Sequence, residues 1–106
     1  MYNITRKVAT NKGNPRVWIE GNDLIKFGIK RGDKFTRILT ENHVILKFFP
    51  EGKSKVSGTD TRPVIDLNGK FLKPFLSGAS HYKATFIKAN ETQVSNQDHI
   101  LIAREG

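Results

Sequence analysis

RVWIEGNDLIKFGIKRGD, residues 16–33, is the stretch from which we predict the fold of this chain. At its start Val17 and Ile19 alternate with Arg16 and Trp18. Successive side chains of a strand point to opposite faces, so this alternation predicts a strand with one apolar face and one face carrying a cation and an indole ring.

A short helix is predicted to follow this strand. Gly21-Asn22-Asp23 supplies a helix start, because small and polar residues cap the free amide groups of a first turn. Leu24, Ile25 and Phe27 form the apolar side of one or two turns. Gly28 can then end the helix in a left-handed conformation.

A shift of 48 residues lays this stretch on VIDLNGKFLKPFLSG, residues 64–78, and reveals an internal repeat. The aligned positions are Val17 with Ile65, Ile19 with Leu67, Gly21 with Gly69, Leu24 with Leu72 and Phe27 with Phe75. The shift becomes 47 where Phe35 meets Tyr82, and 56 where residues 42–46 meet 98–102. We therefore predict one domain, 1–106, built from repeat one (1–50) and repeat two (54–104).

The remaining segments of both repeats indicate strands. A β-prone run covers residues 4–10, and runs at 35–39 and 44–48 predict a hairpin. In the second copy, Pro74 limits the helix to about its first turn. Runs at 82–89 and 99–103 predict the last hairpin, whose polar loop, 90–97, is the longer of the two.

The composition favours a small folded domain with a polyanionic partner. The chain has 106 residues, 37% hydrophobic and 9% aromatic, which is enough to close a small core. The net charge of +8 and the isoelectric point of about 10 are typical of proteins that bind nucleic acid. Residues 1–52 carry +5 and residues 53–106 carry +3, so a basic surface has to be assembled by folding.

The repeat unit resembles the AbrB/MazE/SpoVT class of swapped-hairpin barrel domains. The residues that carry the resemblance are Ile4–Val8, Arg16–Ile19, the LIKFGIKRGD run of residues 24–33 and His43–Lys47. The class commonly has a proline after its second strand, whereas this chain has Glu20-Gly21, which is closer to a SymE-like branch. The second copy departs further, because Ser80-His81 replaces the Gly-Asp turn.

The resemblance implies a mostly β protein, a swapped-hairpin or double-psi-like β-barrel formed by two β-β-α-β-β repeats. Members with one copy close their barrel only when two chains interlock. A tandem copy within one chain can close it alone, since one unit of this size cannot bury its apolar face unaided. We therefore expect a monomer with pseudo-twofold symmetry, with a weak dimer through sheet edges remaining compatible.

Duplex DNA is the partner that the resemblance and the charge together favour, held through lysine and arginine contacts to phosphates. The function expected is that of a transcriptional regulator, an antitoxin-like factor or a nucleoid-associated factor. The predicted contacts lie on or beside the first two strands of each copy, where relatives in this class hold DNA. They are Arg6, Lys7, Lys12 and Arg16 in the first copy and Lys53, Lys55 and Arg62 in the second.

Two alternatives stay open at the level of sequence. A protein-binding module or inhibitor from a phage or another mobile element would use Trp18, Phe48-Phe49 and the 90–97 loop. A SymE-like toxin acting on RNA is suggested by the resemblance alone. Trp18 can also cap the edge of the core, or stack on a base.

No pattern in the sequence indicates catalysis or a cofactor. The chain has no cysteine, and its histidines, His43, His81 and His99, have no close ligand partner, so we predict no metal site. No nucleophile elbow or phosphate-binding glycine loop is present, so we expect no enzyme. Without a signal segment or a long apolar run, we expect a cytoplasmic protein that does not enter the membrane.

Overall fold

The computed structural model describes residues 2–91 and 97–105. The predicted 90–97 loop therefore lies mostly outside the described residues. The strands are β1 (Tyr2–Lys7), β2 (Ala9–Asn11), β3 (Asn14–Glu20), β4 (Lys34–Leu39), β5 (Val44–Phe48), β6 (Ser54–Lys55), β7 (Ser57–Gly58), β8 (Pro63–Asn68), β9 (His81–Ile87) and β10 (His99–Glu105). The helices are α1 (Asn22–Phe27) and α2 (Lys73–Leu76), with 3-10 helices at Lys70–Leu72 and Ala89–Glu91. The expectation of a mostly β protein is confirmed.

The helix α1 is built much as the sequence predicts. The Gly21 carbonyl accepts the amides of Leu24 and Ile25, which are the first hydrogen bonds of the helix, and no side chain caps its first turn. Gly28 ends the helix with φ 92°, a left-handed conformation that costs glycine little. Leu24 is buried, but Ile25 is 47% exposed, so its assignment to the apolar side was wrong.

The strands form two sheets. The larger has the order β1-β9-β10-β5-β4-β6 and the smaller the order β2-β3-β8-β7, and the pairings within both are antiparallel. In the smaller sheet the first-copy strands β2 and β3 lie on one side and the second-copy strands β8 and β7 on the other. The larger sheet is divided in the same way between β5 and β10, except that its edge strands are exchanged: β1 lies beside β9 of the second copy, and β6 lies beside β4 of the first copy. The first strand of each half therefore pairs with the fourth strand of the opposite half.

The strand registers follow the sequence shifts. Trp18 lies opposite Asp66 at the centre of the smaller sheet, and Ile45 lies opposite Leu101 at the centre of the larger one. Each of these pairs joins two positions that the repeat aligns, by 48 and by 56 residues. A twofold axis relating the halves would pass between the members of such a pair, because only there does a strand meet its own counterpart.

The sheets are not closed into the barrel that the sequence predicted. The chain bends at Val8, between β1 and β2, and at Val56, between β6 and β7, and passes there from the larger sheet to the smaller. The Val8 amide bonds the Ser80 carbonyl at 3.0 Å, and the Val56 amide bonds the Asp33 carbonyl at 2.9 Å. These bends interrupt the ladders at both edges and leave two separate sheets.

One hydrophobic core fills the space between the sheets and the helices. It contains side chains from β3 and β8 of the smaller sheet, from the inner face of the larger sheet, and from both helices. The largest fully buried side chain is Tyr82, whose hydroxyl donates to the Trp18 carbonyl at 3.0 Å. Both halves supply this core, so neither half is expected to fold alone.

A tight turn connects the two halves. The Phe49 amide bonds the Lys34 carbonyl at 3.2 Å and the Gly52 amide bonds the Phe49 carbonyl at 3.1 Å. A Cβ atom on Gly52 would lie 2.5 Å from the backbone nitrogen of Phe35. Only glycine therefore lets the chain cross so closely over the start of β4 before entering β6.

We predict that Gly52→Ala destabilises the protein by about 1–3 kcal/mol, the usual range for an added methyl group in a filled space. Thermal or urea unfolding measures the change. Glu51→Ala, at an exposed position in the same turn, is the control and should stay within about 0.5 kcal/mol of the parent. Equal stability of Gly52→Ala and the parent would contradict the close crossing.

We also predict that both tyrosines ionise late. Burial raises the pKa of Tyr82 to about 12, and burial together with the nearby Asp23 raises the pKa of Tyr2 to about 12. An unfolded chain releases these protons near the ordinary value of 10. The free energy of unfolding should therefore be unaffected by these groups below pH 10 and fall as the pH rises towards 12.

Ultraviolet titration of tyrosinate measures this shift. The native protein should ionise about two pH units later than the same chain in urea, and Tyr82→Phe should remove half of the late signal. Ionisation of native Tyr82 near pH 10 would show that its hydroxyl is accessible to water.

Candidate nucleic-acid interface

The larger sheet has one face in the core, and its other face is open to solvent except at Ile87 and His99, which are buried. Tyr82, Ala84 and Phe86 of β9 are fully buried, so the alternate residues of β9 face outward. Cross-strand partners share a face, and the registers therefore assign an outward face on all six strands.

Five lysines lie on this outward face, together with one acidic strand residue, Glu105. The lysines are Lys7 on β1, Lys83 on β9, Lys47 on β5, Lys34 on β4 and Lys55 on β6. We call this surface the lysine face. Among the residues that the structure describes, none of these lysines forms an ion pair, so their charges are available to a ligand.

The lysine face is wide and has an apolar middle. Lys7 and Lys55 lie on the edge strands β1 and β6, and these two strands are five strand spacings apart, or about 24 Å if the sheet were flat. Between them a row formed by Ile38, Ile45 and Leu101 crosses three neighbouring strands. The outward strand positions include no Phe, Tyr or Trp.

The seven basic residues predicted from the sequence do not form one surface. Only Lys7 and Lys55 are on the lysine face. Lys12 is in the β2–β3 turn, with φ 53°, and Lys53 immediately precedes β6; both are exposed. The three arginines lie elsewhere, and each is bound to a carboxylate.

Arg6 and Arg62 line an open cleft of about 540 Å³ at the start of α1. Arg6 contacts Asp23 at 2.7 Å, and Arg62 contacts Glu20 at 2.9 Å. The hydrogen bond from Arg62 lowers the pKa of the Glu20 carboxyl, so this pair stays ionised at neutral pH. The cleft therefore presents balanced charges rather than a cationic site.

Arg16 lies on the outer face of the smaller sheet, where it joins Trp18 and Asp66. Its guanidinium donates two hydrogen bonds to Asp66, at 2.9 and 2.8 Å, and lies 4.6 Å from the centre of the Trp18 ring. These bonds hold the pKa of the Asp66 carboxyl below its ordinary value. Trp18 is 39% exposed, which confirms that it faces away from the core.

Sequence reasoning missed Lys34, Lys47 and Lys83. The alternation around Lys83 and Lys47 was available as a signal. Lys83 stands between the buried Tyr82 and Ala84, and Lys47 stands between the buried Leu46 and the partly buried Phe48. The sequence did not indicate which strands are neighbours in the sheet. Only the strand order puts β9 and β5 in one sheet and so brings these lysines together.

Within residues 2–91 and 97–105, no three His, Asp or Glu side chains lie close enough together to hold a metal ion. His99 is 6% exposed and its Nδ1 atom lies 3.0 Å from the Gln97 carbonyl, while the Nδ1 atom of His81 lies 2.9 Å from the Ser80 hydroxyl. In the same described segments, no helix has the length and apolar character needed to cross a bilayer.

A comparison of the chain with protein-family models, with curated proteins and with solved structures found no match. The functional argument consequently depends on the geometry and charge of the surfaces described above.

Proposed function

We propose that this protein binds duplex DNA through the lysine face, as a small AbrB-like regulator, antitoxin-like factor or nucleoid-associated factor. The observation that carries the proposal is the placement of five lysines and one glutamate on the solvent face of a single six-stranded sheet. Such a surface attracts a polyanion, and nucleic acid is the commonest polyanion that proteins meet.

Lysine chemistry favours contacts with phosphate over reading of bases. An ammonium group is a compact charge on a flexible stem, and it binds a phosphate without fixing an orientation. Arginine could make paired contacts to guanine, but the outward strand positions of this sheet include no arginine, and Arg6, Arg16 and Arg62 are held by Asp23, Asp66 and Glu20. Binding is therefore proposed to depend strongly on salt and weakly on sequence.

The lysine face suits a duplex better than a single strand. Proteins that hold single strands stack bases on aromatic side chains, and the outward strand positions of this sheet carry no Phe, Tyr or Trp. Lys7 and Lys55 are related by the repeat and lie at opposite edges of the face. Two equivalent cationic edges match the twofold symmetry of a duplex backbone.

The proposal extends to the fold. Two halves whose first strands are exchanged, and whose central strands meet their own counterparts, support a swapped-hairpin arrangement of the AbrB type within one chain. In that arrangement this protein is a monomer that supplies both units. It differs from the proposed relatives in where its free cations lie, since Arg6 and Arg16 of the first two strands are engaged in ion pairs.

We predict that replacing Lys7, Lys55 and Lys83 together by Ala weakens duplex binding and leaves folding unchanged. Losing about three phosphate contacts should reduce the slope of log affinity against log salt by roughly three units. Fluorescence anisotropy with a labelled duplex over a salt series measures the slope, and melting temperature checks the fold.

The matched control is Lys30, Lys70 and Lys73 replaced by Ala. These lysines are exposed but lie outside the sheet strands, so the control removes the same net charge from another part of the surface. Equal losses in the two triple variants would mean that only total charge matters. No binding of the parent to any duplex at low salt would reject the proposal itself.

A further inference from the structure

The outer edge of β4 is open over its second half. β6 pairs with β4 only at Lys34 and Phe35. Beyond them, none of the described residues pairs with the outer edge of β4 from Thr36 to Leu39.

The backbone groups at this edge can be assigned. The amide of Phe49 bonds the Lys34 carbonyl and the amide of Thr40 bonds the His43 carbonyl, so the even-numbered residues of β4 bond towards β5. The amides and carbonyls of Arg37 and Leu39 consequently point away from β5, to the open side. An edge of this kind is a template for another strand.

The equivalent strand in the other half has no such opening. β9 occupies the position of β4 counted from the opposite end of the sheet, and β1 covers its edge completely. Ala84 and Phe86, which align with Arg37 and Leu39, lie opposite Ile4 and Tyr2 and are fully buried. Leu39 is 54% exposed. The second half therefore lacks a counterpart of the strand segment 2–5, and the edge of β4 in the first half stays open.

The tight turn at residues 49–52 explains this asymmetry. It carries the chain over Phe35 and delivers it to β6 at the start of β4, so the linking residues never run along the rest of that edge. The opening is thus built into the connection between the halves.

The surroundings of the open edge are apolar. In the covered half, Tyr2 donates a hydrogen bond to the Asp23 carbonyl and packs against Phe27 with ring centres 6.1 Å apart. The residues that lie 48 positions after Asp23 and Phe27 are Phe71 and Phe75, and both are partly buried and packed on the core. The Arg37 guanidinium lies 4.2 Å from the centre of the Phe71 ring, which ties this pair of aromatics to the β4 edge.

Three cations stand near the edge, against one acidic residue, Glu41, in the turn after β4. Arg37 is on β4 itself, and the exposed Lys70 and Lys73 stand on either side of Phe71 and Leu72 in the chain. A second copy of this protein carries a net charge of +8 as well, so its approach is opposed by repulsion between like charges. An acidic segment is therefore the complementary occupant.

We propose that the edge of β4 at residues 36–39 binds an extended acidic segment of a partner protein as an added antiparallel strand. The added strand takes the place that Tyr2–Thr5 occupies beside β9. It carries apolar side chains at two alternate positions, corresponding to Tyr2 and Ile4, and acidic residues between and around them. This interaction uses the open backbone edge of β4, whereas the proposed DNA binding uses lysine side chains of the same sheet.

The probe is a labelled peptide, acetyl-Glu-Tyr-Glu-Ile-Thr-Glu-amide, which keeps the Tyr-x-Ile spacing of β1 in an acidic context. Fluorescence anisotropy should show saturable binding to the full chain at moderate salt. Leu39→Glu should weaken binding at least tenfold, because it removes an apolar contact and adds repulsion. Ile25→Glu, a matched change at another exposed apolar position, should bind like the parent.

Backbone pairing is tested separately from side-chain contact. Only alternate amides of the bound peptide face β4. Methylation of those amides should abolish binding, and methylation of the other amides should leave binding unchanged. Amide hydrogen exchange at Arg37 and Leu39 should slow at least tenfold in the complex, with no change at Ala84 and Phe86.

Three results would overturn the inference. One is the absence of saturable binding up to millimolar peptide. Another is a binding affinity that neither Leu39→Glu nor amide methylation changes. The third is concentration-dependent self-association of the parent that Leu39→Glu abolishes, which would identify a second copy as the occupant. Duplex binding measured on Leu39→Glu keeps this test distinct, since the proposed DNA interface does not include Leu39.

Discussion

The exchange of first strands between the two halves is the constraint on which the rest of the structure depends. β1 completes the edge of β9, and β6 begins to complete the edge of β4. Each exchanged strand then bends, at Val8 or Val56, and continues into the smaller sheet. Because the same chain segments border both sheets, the sheets are held face to face, and a single core forms between them.

The two sheets present different chemistry to solvent, and this follows from which residues alternate with the core positions. The larger sheet exposes lysines without carboxylate partners. The smaller sheet exposes Arg16 bound to Asp66 and stacked on Trp18. Five lysines that are spread along the sequence are therefore brought to one face of one sheet. The asymmetry at the β4 edge has a separate origin, the short connection that links two similar halves.

Much of the local structure was predictable from the sequence, because it depends on short-range chemistry. The strand at Arg16–Ile19, the glycine end of α1 and the two last hairpins follow from alternation, turn residues and glycine conformation. The prediction of a closed barrel was wrong, because the chain leaves the larger sheet at Val8 and at Val56. At these positions the apolar pattern of the sequence does not distinguish an interrupted strand from a continuous one. The proposed basic site was incomplete for another reason: the ion pairs of Arg6, Arg16 and Arg62 join residues 17 to 50 positions apart.

The sequence by itself predicted the repeat alignment and the burial of alternate strand positions and determined the total positive charge, since these depend on residue order and type alone. Tertiary structure alone decided which strands are neighbours, and so which cations share a face and which are neutralised. It also decided that one sheet edge is covered while its counterpart is open. Those properties depend on contacts between segments far apart in the chain, where residue spacing carries no information about distance in space.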